Sequence, residues 1–227
     1  MTEKQNNTVS NDCASNSLLK KSIYIIRHGE TDLNKLGIVQ GRGMDTNLND
    51  RGRIQAEAFY QAYKHIPFDK VYTSTLKRTH QTVKKFIDSN IPWTQYPGLD
   101  ELGWGIHEGL ENNEHIKNEF INILQKWNSG ELHHKFERGE SPLEVKERQL
   151  IVLEKLIEEN DDRNILICMH GRALRLFLCL LTNKPLSDMD SFPHYNTTLY
   201  KVEYDGKGFH ILEFNNTDHL KSLSDKL

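Results

Sequence analysis

The sequence has few of the features that mark secreted, membrane or nucleic-acid-binding proteins. Its 227 residues include three widely spaced cysteines, so neither a disulfide framework nor a cysteine-based zinc site is expected. No apolar run approaches the roughly 18 residues that a membrane span needs. The net charge of −3 gives no basic excess, so we expect no nucleic-acid partner and no membrane partner.

The first 20 residues have little that could pack into a core. They are rich in Asn, Ser and Thr and contain no apolar stretch of a secretory signal, so residues 1–20 are predicted to be a flexible polar tail. Residues 21–227 suit a single domain, which at this length buries roughly 70–75% of its unfolded surface and needs no disulfide or metal. A cytoplasmic location is the expectation that follows, with Cys168 and Cys179 as reduced thiols in the core.

Apolar strand-like runs alternate with helical patterns along the chain. Runs rich in β-branched residues predict strands at about 22–27, 70–74 and 164–169, and two late strands at about 197–204 and 208–214 flank a hairpin turn. Apolar residues three and four apart predict helices at about 49–65, 76–88, 113–129, 141–159 and 172–182. The alternation predicts an α/β fold: a three-layer sandwich with a mainly parallel central sheet, helices on both faces, and a helical lid subdomain at about 110–160.

Two of these helices carry more detailed predictions. Ser141, Pro142 and Glu144 have the spacing of a capping box with proline at the first helical position. The apolar periodicity places Ile54 on the buried face of the helix at 49–65 and Ile157 on the buried face of the helix at 141–159.

Two of the predicted strands end in His-Gly. The first runs into Arg27, His28 and Gly29, and the strand at 164–169 runs into His170 and Gly171. In open α/β sheets, ligands bind at the carboxyl edge of the strands. A parallel sheet would bring two more groups to this edge, namely Arg78 after the strand that ends at Ser74, and Glu101 from an irregular glycine-rich segment.

Two arginines, two histidines and a helix N-terminus at Gly171 make an anion site, and a phosphoryl group fits it well. Guanidinium groups match phosphate oxygens in pairs, and a helix N-terminus adds backbone N–H groups. Positive neighbours should lower the pKa of His28, and a neutral imidazole can attack phosphorus. Glu101 is the expected proton donor to the departing alkoxide, so it must hold a proton before the ester bond breaks.

Six motifs in chain order carry a family resemblance. They are Arg27-His28-Gly29-Glu30-Thr31 with Asn34, Gly41-Arg42 through Gln55-Ala56, Ser74 through Thr82, Leu99 through Gly109, Gly139-Glu140-Ser141, and His170-Gly171 through Arg175. Together they resemble the motifs of the histidine phosphatase, or phosphoglycerate-mutase-like, superfamily. Four positions depart from that pattern: Asn47, Asn49, Thr75 and His107. The first three are structural, whereas His107 replaces a tryptophan near the acid and could alter the shape of the substrate site.

The resemblance implies a phosphoglycerate mutase-like fold and catalysis with no metal and no other cofactor. It implies that His28 is the phosphorylated nucleophile and Glu101 the proton donor. The phosphate pocket would consist of Arg27, Arg78 and His170. Asn34 would be a further phosphate contact, and Gln40 and Gly41 would line the substrate side.

The segment after the acid separates two enzyme classes. Mutases of the family follow the acid with a His-Tyr-Gly type sequence and a basic insertion with consecutive prolines, whereas residues 110–140 here contain no proline. This favours a phosphomonoester hydrolase of the histidine acid-type, acting through a covalent phosphohistidine on a small phosphorylated metabolite. A cofactor-dependent phosphoglycerate mutase is the alternative. A catalytically inactive binding module is a third interpretation, and the intact His28, Arg78, Glu101 and His170 argue against it.

Several choices stay open. The substrate could be a phosphorylated sugar or glycerate, a ribazole phosphate or a nucleotide, and the oligomeric state is undetermined, with a homodimer as one option. Trp104 could line the pocket or pack in the core, and Arg172 could touch substrate or make an ion pair. Arg175 is expected to make a structural ion pair, and Glu108 to anchor the phosphate loop.

Overall fold

Six strands of the described residues form one central sheet. The computed structural model describes residues 20–111, 113–158 and 161–226, so nearly all of the predicted polar tail lies outside the described residues. The strands are β1 (Lys21–Arg27), β2 (Lys70–Thr73), β3 (Trp93–Gln95), β4 (Asn164–Met169), β5 (Leu199–Tyr204) and β6 (Phe209–Asn216). Their spatial order is β3-β2-β4-β1-β5-β6.

The sheet is mainly parallel, as predicted. β4 pairs in parallel with β1 on one side and with β2 on the other, and β3 pairs in parallel with β2. β5 is antiparallel to β1 and to β6. The register sets Arg27 opposite Met169 and Thr73 opposite Cys168, so the residues that follow β1, β2 and β4 meet at one edge. Because β5 runs the other way, the residues that precede β5 lie at that same edge.

The described part of the chain contains six α-helices. They are α1 (Asp32–Lys35), α2 (Asp50–Tyr63), α3 (Lys77–Asp88), α4 (Glu114–Asn128), α5 (Pro142–Glu158) and α6 (Gly171–Leu181). Short 3-10 helices occur at Pro97–Leu99, Gly105–His107, Leu186–Ser191 and Asp218–Lys226. The capping box of α5 is confirmed, since the Ser141 N–H donates to the Glu144 carboxylate and the Glu144 N–H donates to Oγ of Ser141. No described helix is long and apolar enough to cross a membrane.

Alternate residues of the strands face two different helical layers. On one face Ile23, Ile165 and their neighbours pack with residues of α4, α5 and α6, such as Trp127, Val152 and Phe177. On the other face Tyr24, Ile26 and Leu166 pack with Phe59 of α2 and Phe86 of α3. This is the predicted three-layer sandwich. Cys168 and Cys179 are free and buried, as predicted.

The buried faces of two helices differ from the prediction. Ile54 is 52% exposed and Ile157 is 37% exposed. On α2 a polar contact sets the rotation, because the buried Gln55 accepts the backbone N–H of Glu30. On α5 the buried Gln149 donates to the Ala173 carbonyl. Apolar periodicity alone misses these contacts because they involve amide side chains on the buried stripe.

The helices at 110–160 differ in how they pack. α5 contributes Val145, Val152 and Leu156 to the core beneath the sheet, and is therefore part of the helical layer on that face. α4 joins the same cluster through Ile123 and Trp127, beside the irregular segment that carries Trp104. The division of this region into a helical lid subdomain stays a prediction.

Candidate active site

Arg27 and His28 leave β1 at the shared edge and are held there by their backbone. The His28 N–H donates to the Met169 carbonyl at 3.0 Å, and the Gly29 N–H donates to Oγ1 of Thr82 at 3.0 Å. A β-carbon on Gly29 would lie 2.6 Å from the carbonyl oxygen of Gly52. Only glycine therefore allows the loop after His28 to approach the start of α2 this closely.

The His28 ring has a defined tautomer. Its Nδ1 lies 2.7 Å from the Gly29 carbonyl oxygen. Because a carbonyl oxygen only accepts, Nδ1 carries the proton and Nε2 keeps its lone pair. Burial lowers the pKa of His28 well below its usual value, and Arg78 and Arg27 lower it further. The neutral imidazole expected from the sequence is thus present, with burial rather than charge as the larger cause.

Arg78 is fully buried at the start of α3 and connects three parts of the site. Its Nε donates to Nδ1 of His170 at 3.1 Å, Nη1 donates to the Met44 carbonyl at 2.6 Å, and Nη2 donates to the Gly41 carbonyl at 3.3 Å. These bonds use three of the five guanidinium N–H groups, so two are left for an anion. Arg78 therefore supports the loop at Gly41 while it faces the two histidines.

His170 is also neutral and oriented from both ring nitrogens. Because its Nδ1 accepts from Arg78, its Nε2 carries the proton, and it donates to Oγ of Ser74 at 2.7 Å. Burial and then Arg78 lower the pKa of His170 well below its usual value. Its ring centroid lies 5.1 Å from that of His28. Arg78, which can only donate, fixes this tautomer, and Ser74 accepts the remaining ring N–H.

Glu101 is buried at the N-terminus of α6. Its Oε1 accepts the backbone N–H groups of Leu102 at 2.9 Å and Ala173 at 2.8 Å, and its Oε2 accepts that of Arg172 at 3.2 Å. We expected the first turn of α6 to offer free N–H groups to a phosphate. For Arg172 and Ala173 this expectation is wrong, because the carboxylate occupies both donors.

A partly buried arginine that the sequence did not single out holds the Glu101 segment. Arg148 of α5 donates from Nη1 to the carbonyls of Gly98 and Asp100 at 2.8 and 2.9 Å, and from Nη2 to the Glu101 carbonyl at 3.0 Å. Glu140 accepts from its Nε at 3.0 Å. Side-chain hydrogen bonds thus fix the backbone of the irregular segment, as backbone hydrogen bonds do in a helix or a strand.

Asn34, the predicted further phosphate contact, and Gln40, predicted to line the substrate side, brace the loop after His28. Oδ1 of Asn34 accepts the Thr31 N–H at 3.3 Å and an amide hydrogen of Asn196 at 3.2 Å. Gln40 donates to Oγ1 of Thr31 and accepts from Oγ1 of Thr46, both at 2.6 Å. Their roles toward a substrate stay predictions.

Glu108 lies against the same loop. A β-carbon on Gly41 would overlap Oε1 of Glu108, which accepts the Trp104 N–H at 2.9 Å, and would lie 2.7 Å from the Leu102 carbonyl oxygen. Burial raises the pKa of Glu108. The close approach explains why residue 41 is a glycine.

The open choices near the site are partly decided by packing. Trp104 is buried against Phe120, Trp127 and Phe136, so it packs in the core. Arg175 makes the expected ion pair with Asp190, and Arg172 pairs with the same carboxylate at 2.6 Å. His107 is buried on the Phe136 ring and contacts Oε2 of Glu119 at 2.8 Å.

A third histidine at this edge was not predicted. Nη1 of Arg27 lies 3.1 Å from Nδ1 of His194, in the segment before β5. The available signal was the direction of β5: a late strand antiparallel to β1 brings the residues before it to the edge where β1 ends. Among the described residues, no group of three or more His, Cys, Asp or Glu is arranged to hold a metal ion.

Comparisons with known proteins agree with this geometry. The family model described as "Histidine phosphatase superfamily (branch 1)" matches residues 23–217. The chain is 27% identical over 210 residues to a putative phosphoserine phosphatase 2 of Hydrogenobacter thermophilus, covering 90% of this chain and 100% of that protein. It is 31% identical over 208 residues to a broad-specificity phosphatase of Saccharomyces cerevisiae, covering 87% and 86%.

A solved structure supports the fold at similar coverage. The phosphoserine phosphatase of Entamoeba histolytica, in complex with 3-phosphoglyceric acid, superposes with a TM-score of 0.75. It is 27% identical and the match covers 88% of this chain and 99% of that one.

Proposed function

Because the chain belongs to the histidine phosphatase superfamily (branch 1), we propose that it hydrolyses phosphate monoesters of small metabolites through a phosphohistidine at His28. Its relatives include proteins named as phosphatases. The observation that carries the proposal is the His28 ring, neutral, buried and with its Nε2 lone pair available beside two arginines. The nucleophile is thus prepared before any substrate arrives.

In the first half-reaction Nε2 of His28 attacks phosphorus, and the bond from phosphorus to the ester oxygen breaks. Arg27 and Arg78 neutralise the oxygens of the transferring group, which is where most catalysis of phosphoryl transfer arises. Glu101, in its protonated form, gives its proton to the leaving alkoxide. The three backbone N–H groups that Glu101 accepts use three of the four lone-pair sites of a carboxylate, so the fourth site is open to this proton.

In the second half-reaction water attacks phosphorus and the bond to Nε2 breaks. Glu101, now ionised, takes the proton from the water. The neutral ring of His28 returns with Nδ1 still bonded to the Gly29 carbonyl, so the tautomer is preserved through the cycle. The roles of Asn34, Gln40, Gly41 and Gly171 in holding the substrate belong to the same proposal.

The test is hydrolysis of p-nitrophenyl phosphate by the wild type, His28→Ala and a control variant, His133→Ala, which alters an exposed histidine. We expect His28→Ala to lose activity by at least three orders of magnitude, as removal of a nucleophile commonly does, and His133→Ala to retain it. Alkaline quenching and mass spectrometry should find one added phosphoryl group on the His28 peptide. EDTA should leave the rate unchanged.

Other outcomes contradict the proposal in recognisable ways. A mutase would hydrolyse the ester poorly and would need a diphosphorylated glycerate for turnover of phosphoglycerate. A binding module would show no turnover in any variant. A rate that collapses with EDTA would indicate metal-dependent chemistry.

A further inference from the structure

The segment before β5 is anchored to the backbone of the nucleophile. The Thr197 N–H donates to the Arg27 carbonyl at 3.1 Å, and the side-chain amide of Asn196 donates to the His28 carbonyl at 3.1 Å. Thr197 has a φ of 58°, in the left-handed region that β-branched residues avoid. Such strain persists only where surrounding contacts hold it, so this segment has a fixed position at the site.

The His194 ring in this segment lies on the first residue of α6. A β-carbon on Gly171 would lie 2.9 Å from Cε1 of His194 and 3.1 Å from its Nδ1. Any side chain at residue 171 would displace the ring. The glycine after His170 therefore has a second use besides opening the helix, which is to make room for His194.

From this position His194 accepts a hydrogen bond from Arg27. Nη1 of Arg27 lies 3.1 Å from Nδ1 of the ring and 3.5 Å from the His194 carbonyl oxygen. A guanidinium only donates, so Nδ1 must carry the lone pair. Burial, with a smaller contribution from Arg27, lowers the pKa of His194 to about 2, so the ring is neutral and stays an acceptor at ordinary pH.

Arg27 has donors to spare once this bond is made. Its Nε is buried and has no hydrogen-bond partner in the described part of the chain. An arginine held from one side with a buried, unused N–H is prepared for an acceptor on the other side, and an anion at His28 would be that acceptor.

We propose that His194 is a positioning residue, which holds the Arg27 guanidinium in place for the phosphoryl group that His28 receives. The proposal rests on the proposed function, because it takes Arg27 to be a phosphate ligand. His194 itself makes no contact with the reacting atoms in this account. It limits the orientations of Arg27 before the substrate binds, which reduces the entropy lost on binding.

Two substitutions distinguish the effect of the His194 hydrogen-bond acceptor from the effect of the size of its ring. His194→Phe keeps a ring over Gly171 and removes the acceptor, whereas His194→Asn places an amide oxygen close to where Nδ1 lies. We expect His194→Phe to weaken inhibition by inorganic phosphate and to lower kcat/KM for p-nitrophenyl phosphate, each by roughly tenfold, as loss of a hydrogen bond to a charged group does. His194→Asn should recover most of both, and Tyr195→Phe, at an exposed neighbour, should match the wild type.

A double-mutant cycle tests whether His194 acts through Arg27. In an Arg27→Met background, His194→Phe should change phosphate affinity, measured by calorimetry, by less than about twofold, because the two residues act as one unit. Melting temperatures of all variants identify any that fail to fold, and His194→Asn then carries the test.

The failures can be told apart. If the wild type hydrolyses the ester but His194→Phe equals it in phosphate affinity and in kcat/KM, the positioning role is wrong while the proposed function stands. Full additivity of the two substitutions would also overturn the role. If the wild type neither hydrolyses the ester nor binds phosphate, the proposed function fails first.

Discussion

The carboxylate of Glu101 accepts the backbone N–H of Ala173 at 2.8 Å, so the proposed proton donor caps the helix that follows His170. One side chain would thus serve both the fold and the proposed chemistry. An ionised carboxylate at a helix N-terminus is stabilised by the first N–H groups and by the helix dipole.

The dual role of Glu101 predicts a dependence on the leaving group. Glu101→Gln keeps an oxygen that can accept from Ala173 but cannot donate a carboxyl proton. We expect kcat for an alkyl phosphate to fall by about 10²–10⁴. The loss for p-nitrophenyl phosphate should be smaller, because p-nitrophenolate leaves without needing a proton. Steady-state rates on both esters measure the difference.

The melting temperature of Glu101→Gln is the control for this experiment. It should fall less than that of Glu101→Ala, which removes the whole cap and should lose about 1 kcal/mol of stability. The glutamine keeps an oxygen for the Leu102 and Ala173 N–H groups and loses only the acceptor for Arg172. Equal losses of kcat for the two esters would mean that Glu101 is not the proton donor.

The pH dependence of the enzyme should reflect the neutral ring of His28. Burial, Arg78 and Arg27 hold its pKa well below 6.5, so the nucleophile is not protonated as the pH falls through that value. We therefore expect kcat/KM to show no loss from imidazole protonation between pH 7 and pH 5. Nitrogen chemical shifts of labelled histidine should find His28 neutral, with the proton on Nδ1, across this range. A fall of kcat/KM with an apparent pKa near 6.5, accompanied by a change in the His28 nitrogen chemical shifts at the same pH, would contradict this.

How much of this site the sequence could predict depends on the kind of contact. The convergence of His28, Arg78, Glu101 and His170 followed from strand endings and from six motifs, because parallel strands deliver their last residues to one edge. Short-range signals also sufficed for the Ser141 capping box. In contrast, the donors that Glu101 occupies on α6 depend on the path of an irregular loop, which has no periodicity to read.

The contacts of His194 and Gln55 show a second limit. His194 reaches Arg27 only because β5 is antiparallel to β1, a pairing between residues far apart in the chain. Gln55 turns α2 so that Ile54 is exposed, and a buried amide is invisible to a count of apolar positions. Both are tertiary contacts that override the local pattern.

Gly29 gives a test of the close approach behind the nucleophile. Gly29→Ala places a β-carbon 2.6 Å from the Gly52 carbonyl oxygen, and backbone on both sides leaves little room to yield. We expect a loss of more than about 2 kcal/mol in the free energy of unfolding, together with a lower kcat because His28 must shift. Gly208→Ala is the matched control, since nothing lies within 4 Å of the added carbon. Urea unfolding of both variants measures the two free energies of unfolding. If both variants lose a similar amount, the contact at Gly29 is relieved without cost.

A buried histidine that is not one of the proposed catalytic residues should make stability depend on pH. His219, in the last 3-10 helix, contacts Oγ1 of Thr197 at 3.1 Å and packs edge-on against the Phe59 ring. Burial lowers its pKa to about 4. Because the folded-state pKa lies below the unfolded value of about 6.5, its contribution to stability is fully present above pH 6.5 and is lost as the pH falls toward 4.

His219→Gln isolates that contribution from those of His28 and His170, which change in the same direction. Between pH 7 and pH 5 the wild type should lose about 2 kcal/mol more unfolding free energy than the variant, since one buried ring must stay neutral while its unfolded counterpart binds a proton. Urea titrations at the two pH values give the four free energies. If wild type and variant lose the same amount, the His219 ring already takes up its proton inside the folded protein, and its contact with Thr197 does not depend on the neutral form.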